Sequence, residues 1–147
     1  MQNFITKRII RNSVLGILSI FLGLSFVSCT KQIAFQNSAV VPAARGTIHV
    51  KRDANKNYVI GVNILDLAEV NRLTPPKKTY VVWMLTEQSE TKNIGQINSE
   101  TKMFSKKLKA NFETVSSEKP IQVFITAEDD GSTQYPGEVL VLTTNKF

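Results

Sequence analysis

The sequence predicts an all-β fold, an immunoglobulin-like antiparallel β-sandwich of about seven strands behind an amino-terminal signal and tether. Segments alternating apolar and polar with period two recur throughout residues 46–147. Turn-forming clusters separate them at Asn55-Lys56-Asn57, Thr74-Pro75-Pro76, Asp130-Gly131 and Pro136-Gly137. One segment near the middle, residues 79–85, is apolar on both faces, as a central strand requires.

Residues 1–28 read as an export signal. Lys7, Arg8 and Arg11 precede an uninterrupted apolar and small run of 14 residues, 14–27, and no acidic residue occurs before Asp53. The run is short for a membrane-spanning helix of about 20 residues and matches the h-region of a secretory signal. It ends in Phe26-Val27-Ser28-Cys29, a small residue followed by the one cysteine of the chain. That sequence resembles the lipobox of bacterial lipoproteins, with Phe26 where the pattern usually has leucine. The resemblance implies cleavage before Cys29 and lipidation of its thiol, a multiply acylated anchor that holds a protein to a membrane where one chain alone holds it weakly. An uncleaved amino-terminal anchor and a soluble secreted product are the alternatives.

With Cys29 as the first residue the mature chain has 119 residues and no free thiol, which excludes disulfides and cysteine-ligated metals within it. Lys7, Arg8 and Arg11 leave with the signal, so 18 basic against 12 acidic residues becomes 15 against 12. A net charge of +3 removes most of the support for a nucleic-acid partner. Residues 29–45, with scattered polar and small residues and a proline, are expected to be a flexible tether from lipid to domain. Ile33, Phe35, Val40 and Val41 offer the alternative of docking as an edge strand. Thr30, Lys31 and Gln32 follow the cysteine in place of the acidic cluster that marks surface export in several lineages, so the expected location is the envelope, facing the periplasm.

The body, residues 46–147, has the length of one small domain with its own core. In the first segment Ile48 and Val50 share a face opposite Thr47, His49 and Lys51; in the second Tyr58, Ile60, Val62 and Ile64 share one. Val81, Trp83 and Leu85 lie opposite Tyr80, Val82 and Met84 in the third. A short glycine-containing strand over 93–97 follows, then 106–112 with Leu108, Ala110 and Phe112 inward, then 121–128 and 137–142. Between the second and third segments, Leu67, Val70 and Leu73 have helix-like spacing and stop at Thr74-Pro75-Pro76. They predict a short helical turn crossing between the sheets.

The order of these signals resembles the carboxy-terminal extracytoplasmic domain of the anti-sigma-K factor family. The matching residues are Pro76, Tyr80 and Trp83 in the proline turn and Tyr-x-x-Trp strand, then Gly95, then Thr126 and Glu128. Gly131, Pro136 and Gly137 complete the set before the last strand. The likeness covers residues 46–142. It implies a β-sandwich and a sensory or regulatory setting in the envelope. Family members of full architecture add a cytoplasmic sigma-binding region, often with His and paired Cys for zinc, and a membrane helix. Residues 1–28 resemble neither, so the expectation is a stand-alone lipoprotein in which fold transfers more readily than sigma-factor regulation.

The inventory of reactive groups argues against an enzyme and against a metal or other cofactor. His49 is the only histidine, so a Ser-His-Asp arrangement depends on it alone and His clusters are excluded. It alternates with Thr47 and Lys51 and reads as a surface residue. Glu128, Asp129 and Asp130 form a carboxylate run whose Asp-Gly pair is explained by turn chemistry. Lys102, Lys106, Lys107 and Lys109 read as a solvated strand face, with contact to anionic lipid as the alternative. Trp83 is either a core plug or, with Tyr58 and Tyr80, a ligand platform. Glu128 is either a strand-end partner of a lysine or a buried polar anchor of the last hairpin. The expected partners are the membrane, through the lipid, and an envelope protein; a small sugar or lipid bound by the three aromatics is the alternative.

Overall fold

The computed structural model describes residues 32–97 and 109–147. Two antiparallel four-stranded sheets pack face to face as a sandwich. The first is built from β1 (Gln32–Ala34), β2 (Arg45–Arg52), β3 (Tyr58–Leu65) and β6 (Lys109–Ser116), in that spatial order. The second runs β5 (Thr91–Ile97), β4 (Thr79–Thr86), β7 (Pro120–Glu128) and β8 (Leu140–Thr143). All seven expected strands are present in order, and β1 makes an eighth.

The period-two pattern sets which residues meet between the sheets. Ile48, Ile60, Val62, Ile64 and Ala110 from the first sheet pack against Tyr80, Val82, Met84, Val123, Ile125 and Ala127 from the second. Each large side chain removed from water there contributes about 1.5–3 kcal/mol, and the β-branched residues suit a pleated surface. The expected helical crossing is a single 3-10 turn, Val70–Arg72, that carries the chain from β3 to β4. Leu67 and Leu73 beside it are buried in the core. Tyr80 extends from β4 beneath this crossing, its hydroxyl donating to the Ala68 carbonyl at 2.9 Å.

Side chains close the turns at one end of the sandwich. Asp53 Oδ1 accepts the backbone N–H groups of Asn55 and Asn57, both at 2.8 Å, so Lys56 can take a left-handed conformation (φ 67°) between β2 and β3. Thr86 Oγ1 accepts from Glu90 N between β4 and β5, and Ser116 Oγ from Glu118 N between β6 and β7. Ion pairs of Lys119 with Glu87 and of Lys92 with Glu118 tie these last two turns together.

Three differences from the sequence expectations have physical causes. Much of the segment expected to be a tether is docked: Ile33 faces the core, Phe35 bridges to Thr144 beyond β8, and Val41 and Ala44 are buried. Val41 N also donates to Ser38 Oγ at 2.9 Å. The chain thus starts on the edge of the first sheet and steps onto the edge of the second, which removes apolar side chains from water although no long alternation announces it. The β6 strand runs further than expected, past 112, because alternation continues through Glu113, Thr114 and Val115. The expected inward Leu108, like Cys29, lies outside the described residues. The last strand is shorter than 137–142, because Gly137 belongs to the loop that precedes it.

Candidate functional site

The centre of the outward face of β4 is as buried as its inward face, and Leu85 towards its end is partly exposed. Val81 and Trp83 point away from the inter-sheet core, yet both have no exposed surface. What covers them is the connection between β7 and β8, residues 129–139. Asn93 on β5 donates its amide to the carbonyls of Gly131 and Thr133, both at 2.9 Å. Since β4 lies between β5 and β7, a loop that leaves β7 and reaches Asn93 must pass over β4.

The covered face is held by a chain of directional hydrogen bonds. Trp83 Nε1 donates to Thr126 Oγ1 at 2.7 Å, and the Thr126 hydroxyl donates its own proton to Glu128 Oε1. The same carboxylate oxygen accepts the Gly137 N–H at 2.7 Å. A Cβ on Gly137 would stand 2.6 Å from Glu128 Oε2, so glycine lets the loop backbone close on the carboxylate. Gly131 likewise packs on the Gln96 side chain with no room for a Cβ. Gly95, at φ 141°, sits at a register shift in the β4–β5 ladder, with its N–H donated to Asn93 Oδ1 at 3.1 Å. Thr126, Glu128, Gly131 and Gly137 therefore act in one place, as supports of this loop, and Gly95 is joined to it through Asn93. Of the two readings of Glu128, the geometry matches the buried anchor of the last hairpin.

An ion pair and a side-chain cap hold the start of the loop. Lys77 Nζ lies 2.7 Å from Asp129, which raises the lysine above its ordinary pKa. The backbone N–H and hydroxyl of Ser132 hold the Asp130 carboxyl below the usual range. Beyond these supports Pro136 is exposed, and Tyr135 is 79% exposed. Tyr135 was not singled out in the sequence; its place between the turn pairs Asp130-Gly131 and Pro136-Gly137 was the available signal.

The three aromatics of the expected ligand platform do not form one. Tyr80 points into the inter-sheet core, and Trp83 lies under the loop, stacked on Phe124 with ring centroids 6.3 Å apart. Burial pushes the Tyr80 phenol up to about 12. Tyr58 lies on the other sheet, half-buried, with the Arg52 guanidinium 4.9 Å from its ring centroid and donating to its hydroxyl at 2.9 Å. Alternation along β4 sends residues 80 and 83 to opposite faces, so a shared platform was geometrically unavailable.

His49 lies flat over Gly61, which has no Cβ to hold it away, and its Nε2 is 4.0 Å from Glu113. Among the described residues no Ser or Thr hydroxyl is bonded to it. Of the four lysines in the charge run, Lys109 begins β6 and is exposed; the other three lie outside the described residues.

A second feature is an open groove of about 420 Å³ on the outer face of the first sheet. Arg45, Thr47, Asn63, Leu65, Lys109 and Asn111 line it. These are the outward-facing positions at one end of β2, β3 and β6; of them, Lys109 belongs to the lysine run expected to be a solvated face. Comparisons of the chain with family models, with curated proteins and with solved structures found no match.

Proposed function

We propose that the chain is a non-catalytic, lipid-anchored protein of the bacterial cell envelope that faces the periplasm. Its sandwich acts as a protein-interaction module in a regulatory or assembly system. The observation that carries this reading is the combination of enclosed aromatics with an open edge: Tyr80 and Trp83 have no exposed surface, while β6 pairs with β3 and, among the described residues, with no other strand. An eight-residue edge strand can accept a partner strand, whose main-chain hydrogen bonds then supply the affinity.

The immunoglobulin-like assignment is supported by strand order. The order β2-β3-β6 follows A-B-E and β4-β7-β8 follows C-F-G, with β5 beside β4 rather than beside β6. The tryptophan on the C-like strand faces outward under the loop instead of into the core. The proposed kinship with the anti-sigma-K extracytoplasmic domain draws support from the convergence of Thr126, Glu128, Gly131 and Gly137 on one loop.

Two measurements test the reading. Metabolic labelling with a clickable palmitate analogue should mark the wild type and not Cys29→Ala, with membrane retention lost in the same variant; retention of an unlabelled protein would replace the lipid by an uncleaved anchor. A photo-crosslinking residue placed at Asn111 on the β6 edge should trap a discrete envelope protein, and one placed at Lys146 should not. Equal capture at both positions, or at neither, would refute recognition through this edge.

A further inference from the structure

We propose that the groove on the outer face of the first sheet binds a small hydroxylated anion, its acidic group held between Arg45 and Lys109. Strand register puts Arg45, Leu65 and Lys109 in one cross-strand row and Thr47, Asn63 and Asn111 in the next. Neighbouring strands lie about 4.8 Å apart, so the two cationic residues start roughly 10 Å from each other. Their long side chains can close from both sides on one carboxylate or phosphate, which a guanidinium and an ammonium bind in complementary ways.

The second row supplies the remaining specificity. Two amides and one hydroxyl offer donors and acceptors at strand spacing, which is the pairing that neighbouring hydroxyls of a sugar require. None of these five polar side chains hydrogen-bonds or pairs with another described residue. Leu65, 43% exposed between the cations, offers a C–H surface for the ligand's carbon skeleton. No carboxylate stands in either row; Glu113 lies one row further along and faces His49, and Asp66 follows Leu65 just beyond the end of β3. A volume of about 420 Å³ suits a monosaccharide-sized molecule and not a long chain. The groove uses side chains on the outer face of β6, whereas strand addition would use its main-chain groups.

Titration calorimetry on the full chain in a neutral detergent tests the proposal, with glucuronate, glucose 6-phosphate, glucose and inorganic phosphate as probes. At least one of the two acidic sugars should bind, and glucose should bind about tenfold more weakly or not at all. Arg45→Gln and Lys109→Gln should each lower the affinity by roughly tenfold, and Asn63→Asp, which sets a like charge beneath the anion, should abolish it. Lys51→Gln, on the same face beyond the groove, should change nothing. A preference for the uronate or for the phosphate identifies the acidic group. Equal binding of glucose, binding insensitive to both cation variants, or no binding of either acidic sugar would overturn the proposal. Inorganic phosphate binding as tightly as glucose 6-phosphate would overturn its hydroxyl half.

Discussion

Replacing Glu128 by alanine should loosen the loop over Trp83 at a calculable cost. The variant leaves the Gly137 N–H without its acceptor, a bond to a charged group worth about 1.5–3 kcal/mol, and leaves the Thr126 hydroxyl without its own, worth about 1 kcal/mol. Removing a largely buried carboxylate returns part of its desolvation cost, on the order of 1 kcal/mol. A net loss of about 1.5–3 kcal/mol results. Glu128→Gln keeps an oxygen where both donors point, so it should cost only about 1 kcal/mol. Urea unfolding followed by Trp83 fluorescence reads both values as midpoint shifts at constant slope. Faster exchange of the Gly137 amide in the alanine variant locates the change. An alanine variant within about 0.5 kcal/mol of wild type would refute the role of the carboxylate, because surface substitutions fall in that range. A glutamine variant as damaged as alanine would show that charge, not acceptor geometry, matters.

Gly95→Ala should cost about 2 kcal/mol or more, since its φ of 141° disfavours a side chain and the new Cβ would stand 2.6 Å from the Phe112 ring. In a domain of this size that lowers the melting temperature by about 10 °C, and an unchanged melting curve would contradict it. The phenol of Tyr80, raised by burial to about 12 from the ordinary 10.0, contributes stability that is full below pH 10 and is lost as pH rises through 12. That contribution is roughly 3 kcal/mol; Tyr80→Phe should flatten the alkaline limb of the stability profile while giving up the bond to Ala68.

Strands were legible in the sequence wherever one face is wet. Ile48 and Val50 against Thr47 and Lys51, or Ile60, Val62 and Ile64 against Asn63, announce both strand and face. The two-sided apolarity of β4 announced its central position but not the cover on its outer face. That cover is a polar loop held by backbone groups of Gly131, Thr133 and Gly137, which leave no hydrophobic signature. The same absence explains why Glu128 had two readings: its partners are a peptide N–H and a hydroxyl, invisible to charge pairing. β1 was missed as the main expectation because three residues cannot establish a period, and its docking depends on Phe35 meeting Thr144 far along the chain. The groove depends on register between β2, β3 and β6, which alternation alone leaves unspecified.

The early start of β1 changes how the protein would stand on a membrane. If Cys29 carries the lipid, only Thr30 and Lys31 separate it from Gln32, which is already paired with His49. Three residues reach at most about 10 Å, so the sandwich has almost no leash and would rest close to the headgroups. β1 runs antiparallel to β2, which turns the end carrying the β2–β3 turn at Asp53 toward the bilayer. Arg45 and Lys109 occupy the opposite end and would face outward at a fixed height of one strand length, about 25 Å for eight residues. A partner reaching that end would meet it in one orientation, so lengthening the segment between Cys29 and Gln32 would alter capture without touching any binding residue.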